Sequence, residues 1–171
     1  NDNAALPLAQ KQLKVYIENM DSATVANYAT VVNTAEEADF AIIRINTPWY
    51  PVETKNFFAA SFHHGDLDFK GAEKKRILDL LNKVPTIVDI YLDRPAVIPD
   101  ITNAAAALIA DYGASDKSVC EVLFGNIAPQ GKLPFELPSS MQAVKNQQTD
   151  VPYDSENPLF QFGFGLTYQD K

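Results

Sequence analysis

Residues 40–45, Phe-Ala-Ile-Ile-Arg-Ile, form a nearly continuous apolar run. A strand wetted on one side alternates apolar and polar positions. An unbroken run instead marks a strand covered on both faces, as in a parallel sheet between layers of helices. The flanking segments fit that arrangement. Residues 12–20 place Leu13, Val15 and Ile17 on one side and read as a first strand. Asp21 or Ser22 can cap a helix over 23–32. Residues 70–82 carry Ile77, Leu78, Leu80 and Leu81 at helical spacing, and 84–92 return as a β-branched strand. A further strand over 104–110 is weakly signalled, because alanine is a poor strand former. Ser115 can cap a helix running to Phe124, with Gly125 placed to close it in the left-handed conformation. Strands alternating with helices predict an α/β fold, an open and mostly parallel sheet with helices on both faces.

The chain of 171 residues, 46% hydrophobic, suits one domain with one core, spanning 1–171. No run of about 18 apolar residues occurs, so no membrane span is expected. The net charge of −8 disfavours nucleic-acid binding, which needs clustered Lys and Arg, and favours an uncharged ligand. Cys120 is the single cysteine, which excludes an internal disulfide and a thiolate zinc site. Its place between Val119 and Val122 predicts a small apolar packing residue. His63 and His64 are adjacent, the wrong spacing for two ligands on one helical face, so neither a metal nor a cofactor is expected.

Working groups in open α/β sheets sit on loops beyond the carboxyl ends of the strands. The connection over 46–68 far exceeds the usual length of about 4 to 6 residues and is aromatic rather than low in hydrophobicity, which argues for function over disorder. Aromatic faces stack on the C–H faces of sugars. They also anchor long loops, and either use suits Trp49, Tyr50, Phe57 and Phe62.

Two signatures in the last third, Gly131-Lys132-Leu133-Pro134-Phe135 and Phe160-Gln161-Phe162-Gly163-Phe164-Gly165-Leu166-Thr167-Tyr168, resemble the carboxyl-terminal domain of glycoside hydrolase family 3. Asn3-Ala4-Ala5-Leu6-Pro7-Leu8 is similar to the opening of that domain, and Asp93-Arg94-Pro95 to its turn after a buried strand. The resemblance implies a flavodoxin-like sheet following a catalytic barrel that lies upstream. It also implies a retaining, exo-acting β-glycosidase of the β-glucosidase or exo-glucanase type. Its substrate would be a β-glucoside or oligosaccharide with a terminal β-D-glucosyl residue, and a periplasmic or secreted location is somewhat favoured over the cytoplasm. The alternative is a non-catalytic flavodoxin-like module that binds a sugar or a protein.

Retaining hydrolysis needs two carboxyl groups about 5 to 5.5 Å apart, one as nucleophile and one as acid/base. In the family the nucleophile comes from the barrel, and in many members the acid/base is a glutamate on the loop after the second strand of this domain. Pro51-Val52-Glu53-Thr54-Lys55 occupies the comparable place, so the resemblance assigns the acid/base to Glu53. Burial against Trp49 and Tyr50 would raise its pKa toward the working range of a general acid, and Lys55 would oppose that. Residues 56–65 depart from the family's pattern by intervening before Asp66-Leu67-Asp68-Phe69. Asp66, Asp68, His63 and His64 are therefore alternates for the proton, and Trp49, Tyr50, His63, His64 and Asp66 are candidate substrate contacts. Arg94 is expected to meet a carboxylate, either across the interface with the barrel or within its own turn.

Overall fold

The computed structural model describes residues 5–8 and 12–168. Five strands, β1 (Lys14–Glu18), β2 (Thr30–Val32), β3 (Phe40–Asn46), β4 (Thr86–Tyr91) and β5 (Ala107–Asp111), form one wholly parallel sheet in the order β2-β1-β3-β4-β5. This is the flavodoxin-like order, which reverses direction between β1 and β3. The expected fold class is therefore the observed one, and its central strands bear out the reading of residues 40–45. Alternate residues of β3 point to opposite cores. Ile43 and Ile45 join Ile77, Leu81, Val88 and Ile90 beneath the helices α3 (Gly71–Lys83) and α4 (Pro99–Ala104). Ile42 joins Val15, Ile87, Val119 and Leu123 beneath α1 (Ser22–Val25) and α5 (Asp116–Leu123). β4 is buried from Thr86 to Ile90, as the centre of such a sandwich must be.

Three sequence expectations shift. The helix predicted over 23–32 stops at Val25, although Asp21 caps it as expected by accepting from the Thr24 amide at 2.7 Å. The rest of that segment supplies β2, where Val31 sits opposite Val15: two β-branched residues at an open sheet edge pair more favourably than they continue a helix. The first strand is shorter than 12–20, because Gln12 (φ 64°) and Asn19 (φ 57°) adopt left-handed conformations that end the extended run. The strand expected over 104–110 begins at Ala107, since α4, opened by Pro99 at its first position, reaches Ala104.

Other local expectations are met. Ser115 caps α5 through the Ser118 amide, and Gly125 closes it at φ 78°. Cys120 has no exposed surface and burial pushes its thiol up to about 11, in keeping with a packing role. The two carboxyl-terminal signatures lie against each other. The Leu133 amide bonds the Phe164 carbonyl at 2.9 Å, the Gly163 amide bonds that of Leu133, and Leu137 pairs with Phe160. Leu133 and Leu137 are buried under β4, so both motifs complete the core.

Candidate active site

The carboxyl ends of β1, β3, β4 and β5 open onto a cavity of about 730 Å³, lined by Asn19, Arg44, Thr47, Trp49, Tyr91 and Asp111 among others. It lies at the reversal point of the strand order, where open α/β sheets take their ligands. The 46–68 connection forms one rim. It contains a short helix, α2 (Phe57–Ala60), capped by Asn56, and is closed by a bridge in which the Tyr50 amide bonds the His64 carbonyl at 2.8 Å.

Arg94 fastens this loop. Its guanidinium donates to the backbone carbonyls of Pro48, His63, Gly65 and Asp66 at 2.8–3.1 Å. Within this domain four carbonyls take the place of the carboxylate expected in its own turn, because the loop folds back so that residues 48 and 63–66 both present free acceptors to the turn after β4. The planar fork of Arg suits several acceptors at once.

The candidate residues fall into separate places. Trp49 and Tyr50 line the cavity and are 44% and 39% exposed. The imidazole of His63 lies parallel to the indole of Trp49, with ring centres 4.6 Å apart and planes 5° apart, and its Nδ1 pairs with the Asp93 carboxylate. His64 turns the other way and bonds the Ala59 carbonyl at 2.7 Å, holding α2 in place. Asp66 pairs with Lys70, whose ammonium holds the carboxylate below its usual range. Glu53 lies outside the cavity lining, in an exposed stretch over 51–56, and among the described residues it has no hydrogen-bond or ion-pair partner. The aromatic burial expected around it is not present in this arrangement. Asp68, the remaining alternate, faces Lys70 at 3.5 Å.

One feature of the cavity was not found from sequence. Arg44 reaches Asp89 at 2.7 Å, Asp111 at 3.0 Å and Asp116 at 2.6 Å. Burial pushes the Asp89 carboxyl up to about 7, with the neighbouring Asp111 charge acting in the same direction. At Asp111 burial works against ionisation too, but the Ala114 and Gly113 amides and Arg44 outweigh it and hold the group low. The signal was present: a lone Arg in the apolar run of β3 and a lone Asp in that of β4, which the sheet register sets side by side.

Comparison with known proteins agrees with this fold. The Glycosyl hydrolase family 3 C-terminal domain matches residues 18–168. Beta-glucosidase C of Emericella nidulans is 49% identical over 99% of the chain, and the Periplasmic beta-glucosidase/beta-xylosidase of Dickeya chrysanthemi is 43% identical over 98%. The chain spans only 28% and 26% of those two relatives. Among solved structures, beta-glucosidase D2-BGL of Chaetomella raphigera superposes on 98% of the chain with a TM-score of 0.73 at 16% identity, covering 34% of that protein and sharing its fold. The match over residues 18–168 and the near-complete alignment with relatives at 49% and 43% identity place the chain in glycoside hydrolase family 3, as a C-terminal domain of that family.

Proposed function

We propose that residues 1–171 form the single α/β domain that follows a catalytic barrel in a retaining, exo-acting β-glycosidase of β-glucosidase type. The observation that supports this most is the coincidence of family and place. The domain belongs to a family in which its Emericella relative is named a β-glucosidase and its Dickeya relative a β-glucosidase/β-xylosidase, and its long aromatic loop stands at the carboxyl edge of the sheet beside a cavity. In this reading the barrel supplies the nucleophile. This domain supplies a pocket wall from Trp49 and Tyr50, with His63, His64 and Asp66 on the same loop behind them, and Glu53 as acid/base protonating the departing oxygen. The substrate is a β-glucoside or an oligosaccharide ending in a β-D-glucosyl unit. The name of the Dickeya relative favours a periplasmic or secreted location. Among the described residues no helix is long and apolar enough to cross a membrane.

The exposure of Glu53 gives the reading a definite requirement, since a general acid needs apolar or charged neighbours to hold its proton near neutral pH. In this domain those neighbours must come from the barrel. The exposed Glu53 equally favours a second reading, in which the domain is a wall and scaffold and the proton comes from elsewhere.

Glu53→Gln in the barrel-containing protein separates the two. If Glu53 is the acid/base, hydrolysis of glucosides with poor leaving groups falls by about 10²- to 10⁴-fold. Good leaving groups are then spared in the first step, and azide restores turnover by attacking the glycosyl-enzyme. Wild-type kinetics across leaving groups would remove Glu53 from the chemistry and leave the domain as a wall.

A further inference from the structure

We propose that Asp93, acting through His63, is a positioning residue that fixes the plane of Trp49 as a stacking platform for the sugar ring of a glycoside. The proposal rests on the β-glycosidase reading above for the identity of the ligand, and on the loop geometry for the positioning.

Trp49 is the chain's one tryptophan, lines the cavity and keeps 44% of its surface exposed. Packing holds such a ring poorly, so a flat and repeatable orientation needs another source. The imidazole of His63 provides it by lying parallel to one indole face. Trp49 is a cavity residue and His63 is not, so the imidazole backs the ring from outside and leaves the other face for a ligand. Stacked aromatic pairs are favourable beyond the area they bury, which makes the contact an orienting one.

His63 is 40% exposed and would also wander, but its Nδ1 is held by the carboxylate of Asp93. A carboxylate on one ring nitrogen fixes both the tautomer and the plane of an imidazole. Asp93 comes from the turn after β4, and its neighbour Arg94 clamps the backbone at Pro48 and His63, beside the two stacked rings. The labour is divided. Arg94 anchors backbone by four carbonyl bonds, whereas Asp93 reaches only a half-exposed imidazole. A bond of that kind adds little to stability, and its effect is to set ring orientation.

The test has two arms. In the 171-residue chain, Trp49 is the sole indole fluorophore. Asp93→Ala and His63→Ala should each shift its emission to the red and raise its quenching by acrylamide. Asp93→Asn, which keeps an acceptor for Nδ1–H, should behave as wild type. In the barrel-containing protein the two alanine variants should each raise KM for a β-glucoside by about three- to tenfold, the worth of one aromatic stack. The kcat should stay within about twofold, as expected when binding alone is lost. The double alanine variant should be no worse than either single, because both remove the same contact. The proposal falls if Asp93→Ala leaves Trp49 emission and quenching unchanged, if the two substitutions add, or if kcat drops together with the rise in KM. His63→Ala alters an exposed side chain only, so the question stays open to measurement even if Asp93→Ala fails to fold. A wild-type barrel-containing protein without β-glucosidase turnover would overturn the ligand reading, whereas the emission arm decides the positioning by itself.

Discussion

Asp89 stands in the middle of β4 with no exposed surface, in a cluster where one guanidinium serves three carboxylates. Its pairing with Arg44 is close, but neither Asp89 oxygen has a well-aligned hydrogen bond, so ionisation there is only partly compensated. The folded carboxyl holds its proton up to about 7, while in the unfolded chain it releases it near 3.8. Between those values the folded state binds more protons than the unfolded state, so this residue makes stability fall as pH rises through that window. Asp111, held low in the same cluster, works in the opposite sense, but only as pH falls below the ordinary aspartate range. Asp89→Asn should therefore flatten the pH dependence. In urea denaturation at pH 5, 6 and 7, the wild type should lose up to about 1.4 kcal/mol per pH unit relative to the variant, the limit for one proton. Parallel stability curves would show that Asp89 does not hold a proton in the folded state.

At the level of elements, α5 and the segment before β1 meet at Gly125. With φ at 78° the residue is left-handed, and a side chain there would lie 2.8 Å from the Cβ of Pro7. Gly125→Ala should cost about 1–3 kcal/mol, from the left-handed strain and the overlap together. Gly163→Ala, left-handed at φ 76° but with nothing within 4 Å, carries the strain without the overlap, so it is the matched control and should cost only about 1 kcal/mol. Equal effects from both would mean that the contact between helix end and leading segment is not made in solution. These caps and closures were legible because they depend on a few adjacent residues. So were β3 and β4, whose burial on both faces writes itself into consecutive apolar positions. β2 was not legible: three residues at a sheet edge carry no periodicity, and the Asp21 cap just upstream promised a longer helix than Val25 allows. In the site, the nearness of Trp49, Tyr50, His63, His64 and Asp66 followed from their sharing one loop. Their division of duties did not follow, because it is set by Asp93, Arg94 and Lys70, which lie outside the 46–68 connection. The charge cluster at Arg44 escaped for the same reason, as it draws on β3, β4, β5 and α5 together.

Across the whole molecule, the largest apolar side chains left in water gather on the long loop. Phe57, Phe58 and Phe62 are 81%, 74% and 65% exposed. A patch of that kind marks a contact surface, and the chain spans only 28% of its Emericella relative. In the proposed enzyme the upstream barrel is the natural cover. Alone, the 171-residue chain should associate with itself through these rings. Burying about 100 Å² on each of three rings is worth roughly 7 kcal/mol at about 25 cal/mol per Å². Lost translational and rotational freedom cancels at least about 4 kcal/mol of it, which leaves at most about 3 kcal/mol, so the association should be weak, at millimolar concentrations. The net charge of −8 opposes contact between copies, so added salt should strengthen association by screening that repulsion, the reverse of what salt does to an ion-paired interface. Sedimentation velocity over a concentration series at low and high salt measures both effects, and replacing Phe57 and Phe58 by Ser should abolish them. A chain that stays monomeric at millimolar concentration and high salt would mean that the loop folds its rings away in solution. The barrel would then have to open the loop before using it, and the exposed rings seen here would belong to the assembled enzyme alone.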